Sequence, residues 1–308
     1  MTKFVVRRLV WTIPVVLLVI LLTFTMMKQI GGNPFRHTER NIPASIQQNL
    51  ERKFHLDRPW YVQYAYYVKG VFTFDLGPSM LLRNRTVTGI VEDQFPVSIQ
   101  LGGLAMLFAL VFGVPLGALS ALKQNTSIDY GAMFLSNVGF AIPSFLVSTL
   151  LIYFVALKWG LLPTSGWAGW KYKILPPIAL GLGPMAYFAR LARGAMLETL
   201  QQDYVRTAKA KGLRWRRIVL LHVLRNSLIP VVTAAGPLLG FLITGSFIVE
   251  TIFAIPGIGR YYVTAVSARD YSVTMGLTVI LALIIVAANL VVDILYGVLD
   301  PRTREARA

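Results

Sequence analysis

Apolar residues along this chain gather in blocks rather than in stripes. Six blocks stand out, at residues 9–27, 97–122, 131–157, 174–191, 228–249 and 273–299. Each is close to the ~20 apolar residues that a helix needs to cross the ~30 Å hydrocarbon core of a bilayer. The pattern predicts an all-α fold, a polytopic membrane helical bundle of about six transmembrane helices. Composition points the same way: the 308 residues are 55% hydrophobic and only 14% charged, whereas a soluble domain carries roughly 25% charge. Mean hydropathy is +0.60. The first block follows Lys3, Arg7 and Arg8. It is too long for a signal-peptide core, and Lys28-Gln29-Ile30 is a poor cleavage site, so an uncleaved span is expected.

The stretch between the first two blocks is different. Residues 28–95 are mixed in polarity and rich in tyrosine, with turn signals at Leu56-Asp57-Arg58-Pro59-Trp60 and Asp75-Leu76-Gly77-Pro78-Ser79. Proline biases the residue before it away from the helical region. The expected organisation is residues 1–27 as N-terminus and first span, 28–95 as an external segment, and 96–308 as a core with spans two to six. Trp159, Trp167, Trp170 and Tyr172 fit an interfacial aromatic belt. Prolines and glycines recur inside the spans, among them Pro115, Gly117, Pro143, Gly181, Gly183, Pro184, Pro230 and Pro237. Such residues permit close helix approach, and they break helices where freed carbonyls face protein or water.

Charge decides orientation. The net charge is +16, but the basic residues lie between apolar blocks, which argues against nucleic acid as partner and for the positive-inside rule with lipid headgroups. Six spans put both termini on one side. That side holds Lys3, Arg7, Arg8, Lys123, Arg193 and the basic cluster from Arg206 to Arg225, so both termini are expected in the cytoplasm. The absence of cysteine excludes disulfides and thiolate chemistry, and His37, His55 and His222 are scattered.

Residues 194–227 form the longest loop on the basic side. Their pattern reads as a helix, a stop at Gly212, then an amphipathic helix with Trp215, Ile218, Val219, Leu221 and Leu224 on one face and Arg214, Arg216, Arg217 and Arg225 opposite. An interfacial helix held by anionic lipid and an ordinary positive-inside loop are the competing readings. A third is a protruding short helix that fits a cleft on a soluble motor, with Ala208 and Ala210 permitting close approach.

The string Asp203-Tyr204-Val205-Arg206-Thr207-Ala208-Lys209-Ala210-Lys211-Gly212-Leu213 resembles the cytoplasmic loop of permease subunits from binding-protein-dependent ABC importers. That family's pattern of Glu-Ala-Ala, three residues, Gly, and a later Ile-x-Leu-Pro falls here on Arg206-Thr207-Ala208, Gly212 and His222-Val223-Leu224-Arg225. Ala208, Gly212 and Leu224 match; the Glu, Ile and Pro are replaced. The Arg-Thr-Ala-x-Ala-Lys-Gly form resembles the peptide and nickel branch. Stretches at 3–9, 54–64, 75–79, 250–259 and 299–302 agree. Within the branch the resemblance runs to the B-type oligopeptide, or dipeptide, subunits, with Asn33-Pro34-Phe35 and Arg83-Asn84-Arg85-Thr86-Val87 favouring the oligopeptide form.

The resemblance implies a type I ABC importer permease fold in the bacterial inner membrane. It implies a second homologous permease subunit as heterodimer partner, two cytoplasmic ATPases and an external substrate-binding protein. No GxxxxGK[ST] phosphate loop occurs in the chain, so no cofactor is expected here, ATP and Mg being held by the ATPases, and the subunit is expected to be non-catalytic. The coupling loop would comprise Asp203, Tyr204, Arg206, Thr207, Ala208, Ala210, Lys211, Gly212, His222 and Leu224. Intramembrane polar groups are pathway candidates; here they are Glu250, Asn289 and Asp293, with a gate contact and a structural cap both open for Glu250. Nickel or glutathione uptake by the same subunit role, and an ion-gradient-driven secondary transporter, are the alternatives.

Overall fold

The computed structural model describes the backbone of residues 2–30, 48–49, 51–52, 54–82, 84–244 and 247–299, and side chains from 10 to 29 and onward within these ranges as far as 290. The helices are α1 (Thr2–Ile30), α2 (Trp60–Phe72), α3 (Val87–Leu122), α4 (Ser127–Ala141), α5 (Ser144–Leu151, continued by a π-helical turn at Ile152–Lys158), α6 (Leu175–Leu200), α7 (Asp203–Ala210), α8 (Arg225–Thr244), α9 (Phe247–Ile252), α10 (Ile258–Ala268) and α11 (Tyr271–Leu299). Among the described residues the extended structure is one isolated bridge, Pro78 to Thr86. Among the described residues five helices are long and apolar enough to cross a membrane, and a bent pair makes a sixth candidate.

Three boundaries differ from the sequence expectation. The block at 131–157 is not one straight span. It is α4 followed by a helix over Ser144–Lys158, bent by 100°. Pro143 explains the break: it lacks an N–H, and Ile142 before it is extended at φ −81°, ψ 121°. The fourth span does not end near residue 191, because α6 runs to Leu200 through the helix formers of 196–200 and buries Met196. Residues 194–200 therefore belong to a span rather than to a loop. Beyond the fifth span, α10 occupies a stretch that carries no block of its own.

The chain divides into two compact units, Met1–Val97 with Gly257–Ala287, and Ser98–Pro256 with Ala288–Ala308. In the first, Val16, Ile20 and Phe24 of α1 pack with Met275 and Val279 of α11 and with Tyr64, Tyr67, Val68 and Val71 of α2. Buried Asp270 stands before α11 and accepts from the Val273 N–H at 3.1 Å, as a helix cap does. The same carboxylate accepts from the Ser79 hydroxyl and from the Met80 and Leu81 N–H groups at 3.2 and 3.3 Å. One anionic cap thus ties the Asp75–Ser79 turn to the start of the last helix.

In the second unit α3 meets α6 at backbone contact. Gly113 and Gly117 lie one turn apart, and a Cβ at either would run into the carbonyl oxygen of Met185 or of Ala189. This is the small-xxx-small spacing that lets membrane helices approach closely. One turn further along, Asp129 of α4 is buried and held by a bidentate pair from Arg193 of α6, Nε to Oδ1 at 2.7 Å and Nη2 to Oδ2 at 2.8 Å. The Asn125 N–H adds 3.0 Å, and the Ser120 hydroxyl of α3 completes the set. Three helices meet on one carboxylate.

Removing one partner of a fully buried ion pair strands the other charge, at about 3–5 kcal/mol, and at less where the stranded group reaches solvent, as the 27%-exposed Arg193 side chain does. Asp129→Ala is accordingly expected to lower the thermal unfolding midpoint of the purified complex by several degrees or more. Adding Arg193→Leu should recover a large part of the loss, because no charge is then stranded. A double variant as unstable as the single one would show that the clasp is not the source.

Candidate functional site

The short helix α7 and the residues that follow it form the site. After α6 ends, Gln202 turns extended at φ −69°, ψ 147° and launches α7 in a new direction. Val205 and Ala208 stand one turn apart on α7 and are both buried. They enter a cluster with Ala121 of α3, Met196 of α6, and Ile218 and Val223 at the entry to α8; Ala118, Leu197, Leu200, Leu213, Val219 and Leu224 pack around it. One small helix is thereby seated on three spans at once.

Its C-terminus is closed by a reciprocal pair of bonds. The Gly212 N–H donates to Lys209 O at 3.0 Å and the Leu213 N–H to Ala208 O at 3.3 Å. This is the Schellman arrangement, with glycine left-handed at φ +71° and an apolar residue after it folding back on the helix. Lys209 Nζ lies 4.8 Å from the Trp215 ring centroid across the turn, a cation–π contact worth about 0.5–1 kcal/mol at an exposed site. Tyr204 Oη accepts from Asn226 Nδ2 at 3.0 Å, and the same amide donates to His222 O at 2.9 Å. Tyr204 and His222 are thus joined through one side chain.

The outward face carries Asp203, Tyr204, Arg206, Thr207, Lys209, Ala210 and Lys211, all exposed. Asp203 and Arg206 make a 3.5 Å surface pair. Ala208, expected with these residues in the coupling loop, is not on this face: it is buried and packs inward against the cluster beneath the helix. The amphipathic stretch after Gly212 is not a separate helix either. Residues Trp215–Arg217 pass through a π-helical turn, Ile218–Leu224, straight into α8. The wider i→i+5 repeat brings residues five apart onto one face, which is why Ile218 and Val223 are buried while Leu221, expected on the apolar stripe, is exposed.

The pathway candidates separate. Glu250 on α9 is fully buried and accepts from the Ser98 hydroxyl at 2.8 Å. Just beyond it, the Ile255 N–H returns to Glu250 O at 2.8 Å, and Phe253 O accepts from the Gly166 N–H at 2.7 Å. Asn289 on α11 is half-buried. Asp293 lies on α11, and its side chain is outside the described residues, as are residues 31–47, Arg83 and 300–308. A cavity of ≈ 460 Å³ opens elsewhere, at the α4–α5 break, lined by Phe140, Pro143, Ser144, Gly183, Tyr187 and Phe241 among others. Sequence reasoning missed these as a group. Its available signal was Pro143 together with Gly183-Pro184.

The fold and this arrangement are those of a permease subunit of an ABC importer. The chain belongs to the family described as binding-protein-dependent transport system inner membrane component, whose model matches residues 113–305; the model of the family's N-terminal region matches residues 1–102. It is therefore a multi-pass inner-membrane protein. The dipeptide transport system permease protein DppB of Bacillus subtilis is 45% identical over 305 residues, 99% of this chain and 98% of that one. The oligopeptide transport system permease protein OppB of Escherichia coli K12 is 42% identical over 306 residues, 99% and 100% of the two chains. Among solved structures, the inward-facing MetNI methionine ABC transporter matches with TM-score 0.53 at 19% identity, over 66% of this chain and 95% of that one. An amino acid ABC transporter with histidines matches with TM-score 0.52 at 17% identity, over 68% and 93%. These two likenesses concern the fold.

No atom lies within 4 Å of a Cβ built on Gly212, so a side chain there is strained by backbone conformation and not by collision. An alanine in the left-handed region costs about 1–2 kcal/mol, whereas asparagine is tolerated better. Gly212→Ala is expected to speed tryptic cleavage after Lys209 and Lys211, with Gly212→Asn intermediate. Equal protection of all three chains would contradict this account of the turn.

Proposed function

We propose that this chain forms one half of a peptide pathway, the other half being a second homologous permease subunit, and that α7 transmits the closure of two cytoplasmic ATPases to the spans. One observation carries the mechanical reading. Val205 and Ala208 anchor α7 to α3, α6 and the entry to α8, while its polar face is exposed. A force on that face moves three spans as a body, which is the rigid-body kind of switching. The surface residues Asp203, Tyr204, Arg206, Thr207, Ala210, Lys211 and Gly212 would meet the ATPase, while His222 and Leu224 support the seat. ATP and Mg belong to the ATPases, substrate capture belongs to an external binding protein, and this subunit performs no chemistry itself.

Peptide as the substrate class is supported by the relatives, whose names specify dipeptides and oligopeptides. Their identities of 45% and 42% are too close to separate the two forms, although the stretches around residues 33–35 and 83–87 favour oligopeptides. The apolar cavity at the α4–α5 break suits such cargo. Weak, mostly apolar contacts would accept varied side chains and let them leave again, and the tight site is left to the binding protein. Orientation with both termini and α7 in the cytoplasm is supported by the basic residues from Arg206 to Arg225.

Gly183 lines that cavity, and a Cβ built on it has no neighbour within 4 Å. Gly183→Leu should therefore fill the pathway without disturbing the fold. Reconstituted complex carrying it is expected to assemble and hydrolyse ATP near the wild-type rate while losing most uptake of labelled di- and oligopeptides. Normal uptake would remove this cavity from the pathway, and uptake that follows an ion gradient without ATP would favour a secondary transporter.

Orientation has its own test. Cysteine at exposed Gln202, the residue before α7, is expected to react with an impermeant maleimide in inverted vesicles and not in intact cells. Labelling in intact cells would reverse the topology.

A further inference from the structure

Helix α2 belongs to the stretch that sequence reasoning treats as an external cap, yet its contacts lie along the shaft of α1. Tyr64 Oη donates to Leu17 O at 3.2 Å, and the Tyr64 and Phe24 rings meet edge to face at 5.9 Å. Leu17 is near the middle of the apolar stretch Val10–Gln29. At 1.5 Å per residue, about 18 Å of helix separates it from Gln29. Val16 and Ile20, in the same cluster as Tyr67, Val68 and Val71, fix α2 at this depth. The neighbouring contact residues Met275 and Val279 lie within a second apolar stretch, Tyr271–Leu290. A helix packed against the middle of α1 and the first three turns of α11 lies alongside apolar membrane-spanning stretches rather than above them.

The free face of α2 agrees. The helix reads WYVQYAYYVKGVF, and Lys69 is its single charged residue. Trp60, Tyr61 and Phe72 are 58%, 59% and 56% exposed, and Phe74 just beyond is 80% exposed. In water such a face would be polar, and exposed aromatic groups of this size would be an aggregation liability. The outward surface of α1 is apolar too, with Trp11, Leu18 and Leu22 exposed. Tryptophan and tyrosine are the side chains favoured where hydrocarbon meets headgroup, and a lysine can extend its amine to that boundary. Gln63 does not spoil the fit: it is buried, with its amide donating to Arg58 O at 2.6 Å and Leu56 O at 3.2 Å.

We infer that α2 is embedded in the leaflet reached by the C-terminal end of α1, with its Tyr61–Phe72 face in contact with phospholipid. It is a membrane-inserted strap on the first and last spans. The inference needs only that α1 spans the membrane, and it stands or falls apart from the transport reading.

The chain contains no cysteine, so single spin labels can be placed by Tyr61→Cys and Phe72→Cys in the full complex, its partners freed of cysteine, in phosphatidylethanolamine–phosphatidylglycerol vesicles. Collision with oxygen is compared with collision with a water-soluble nickel chelate present on both sides. Leu22→Cys serves as the lipid reference and Lys123→Cys as the aqueous one. The oxygen-to-nickel ratio at both α2 sites is expected near that of Leu22 and several-fold above that of Lys123. A ratio like that of Lys123 would overturn the inference, and so would inaccessibility to both reagents, which would mean that protein covers the face. An independent reading comes from brominated lipid. Trp60→Phe should remove part of the quenchable tryptophan fluorescence, and unchanged quenching would count against the inference.

Discussion

The carboxylate of Asp129 is the point on which the second unit depends. It is buried, and α3, α6 and the turn between α3 and α4 all place donors on it. Its own burial makes those donors necessary, because a buried carboxylate without hydrogen bonds would be costly. The charge therefore fixes the angle between helices that apolar packing alone would let slide. Its position in the chain matters as much as its strength. Ser120 is adjacent to Ala121, and Arg193 precedes Met196 by one helical turn, and Ala121 and Met196 are the floor on which α7 is seated. The clasp and the seat are one construction.

That construction explains how a helix of eight residues stays ordered and, on the proposed function, could serve as a lever. Helices this short are marginal in isolation, and α7 lacks a side-chain N-cap bond. Its order comes from Val205 and Ala208 below and from the Schellman closure at Gly212. The π-helical turn leads into α8 without a loop, and the Gly212 turn that joins α7 to it is closed by two backbone hydrogen bonds. On the proposed mechanism, the two alanines that looked equivalent in the sequence divide the work: Ala208 holds the helix to the spans, and Ala210 leaves the outer face low.

Block length and loop charge made the membrane fold legible, and the 203–213 string made the family legible, because each depends on local composition. What escaped was set by contact. Pro143 was visible, but a proline in a span is compatible with a mild kink as well as with the 100° break that the structure shows. Gly113 and Gly117 announce close approach only once α6 is known to lie against them. The burial of Val223 in place of Leu221 follows from a π-helical repeat that propensity does not encode. On the inferred placement, the depth of α2 escaped for a related reason. Its charge content was averaged with that of a polar segment, although the helix itself carries one lysine.

On the proposed function, pathway and scaffold are separated by what surrounds otherwise similar residues. Gly113, Gly117 and Gly183 are all helical glycines inside apolar blocks, and sequence gives them one description. The first two are filled by the backbone of α6, so their lack of a side chain serves cohesion. The third faces an open cavity at a helix break, so its lack of a side chain leaves volume. The polar residues divide in the same manner. Glu250, the most conspicuous intramembrane carboxylate, is fully buried and bonded to Ser98, whereas the cavity wall is mostly apolar. A pathway that had to strip charged groups from water at a fixed carboxylate would bind its cargo strongly and discriminate sharply. One bounded by Phe140, Tyr187, Phe241 and a break in the helix can yield to different shapes, and selectivity then rests with whatever delivers the cargo.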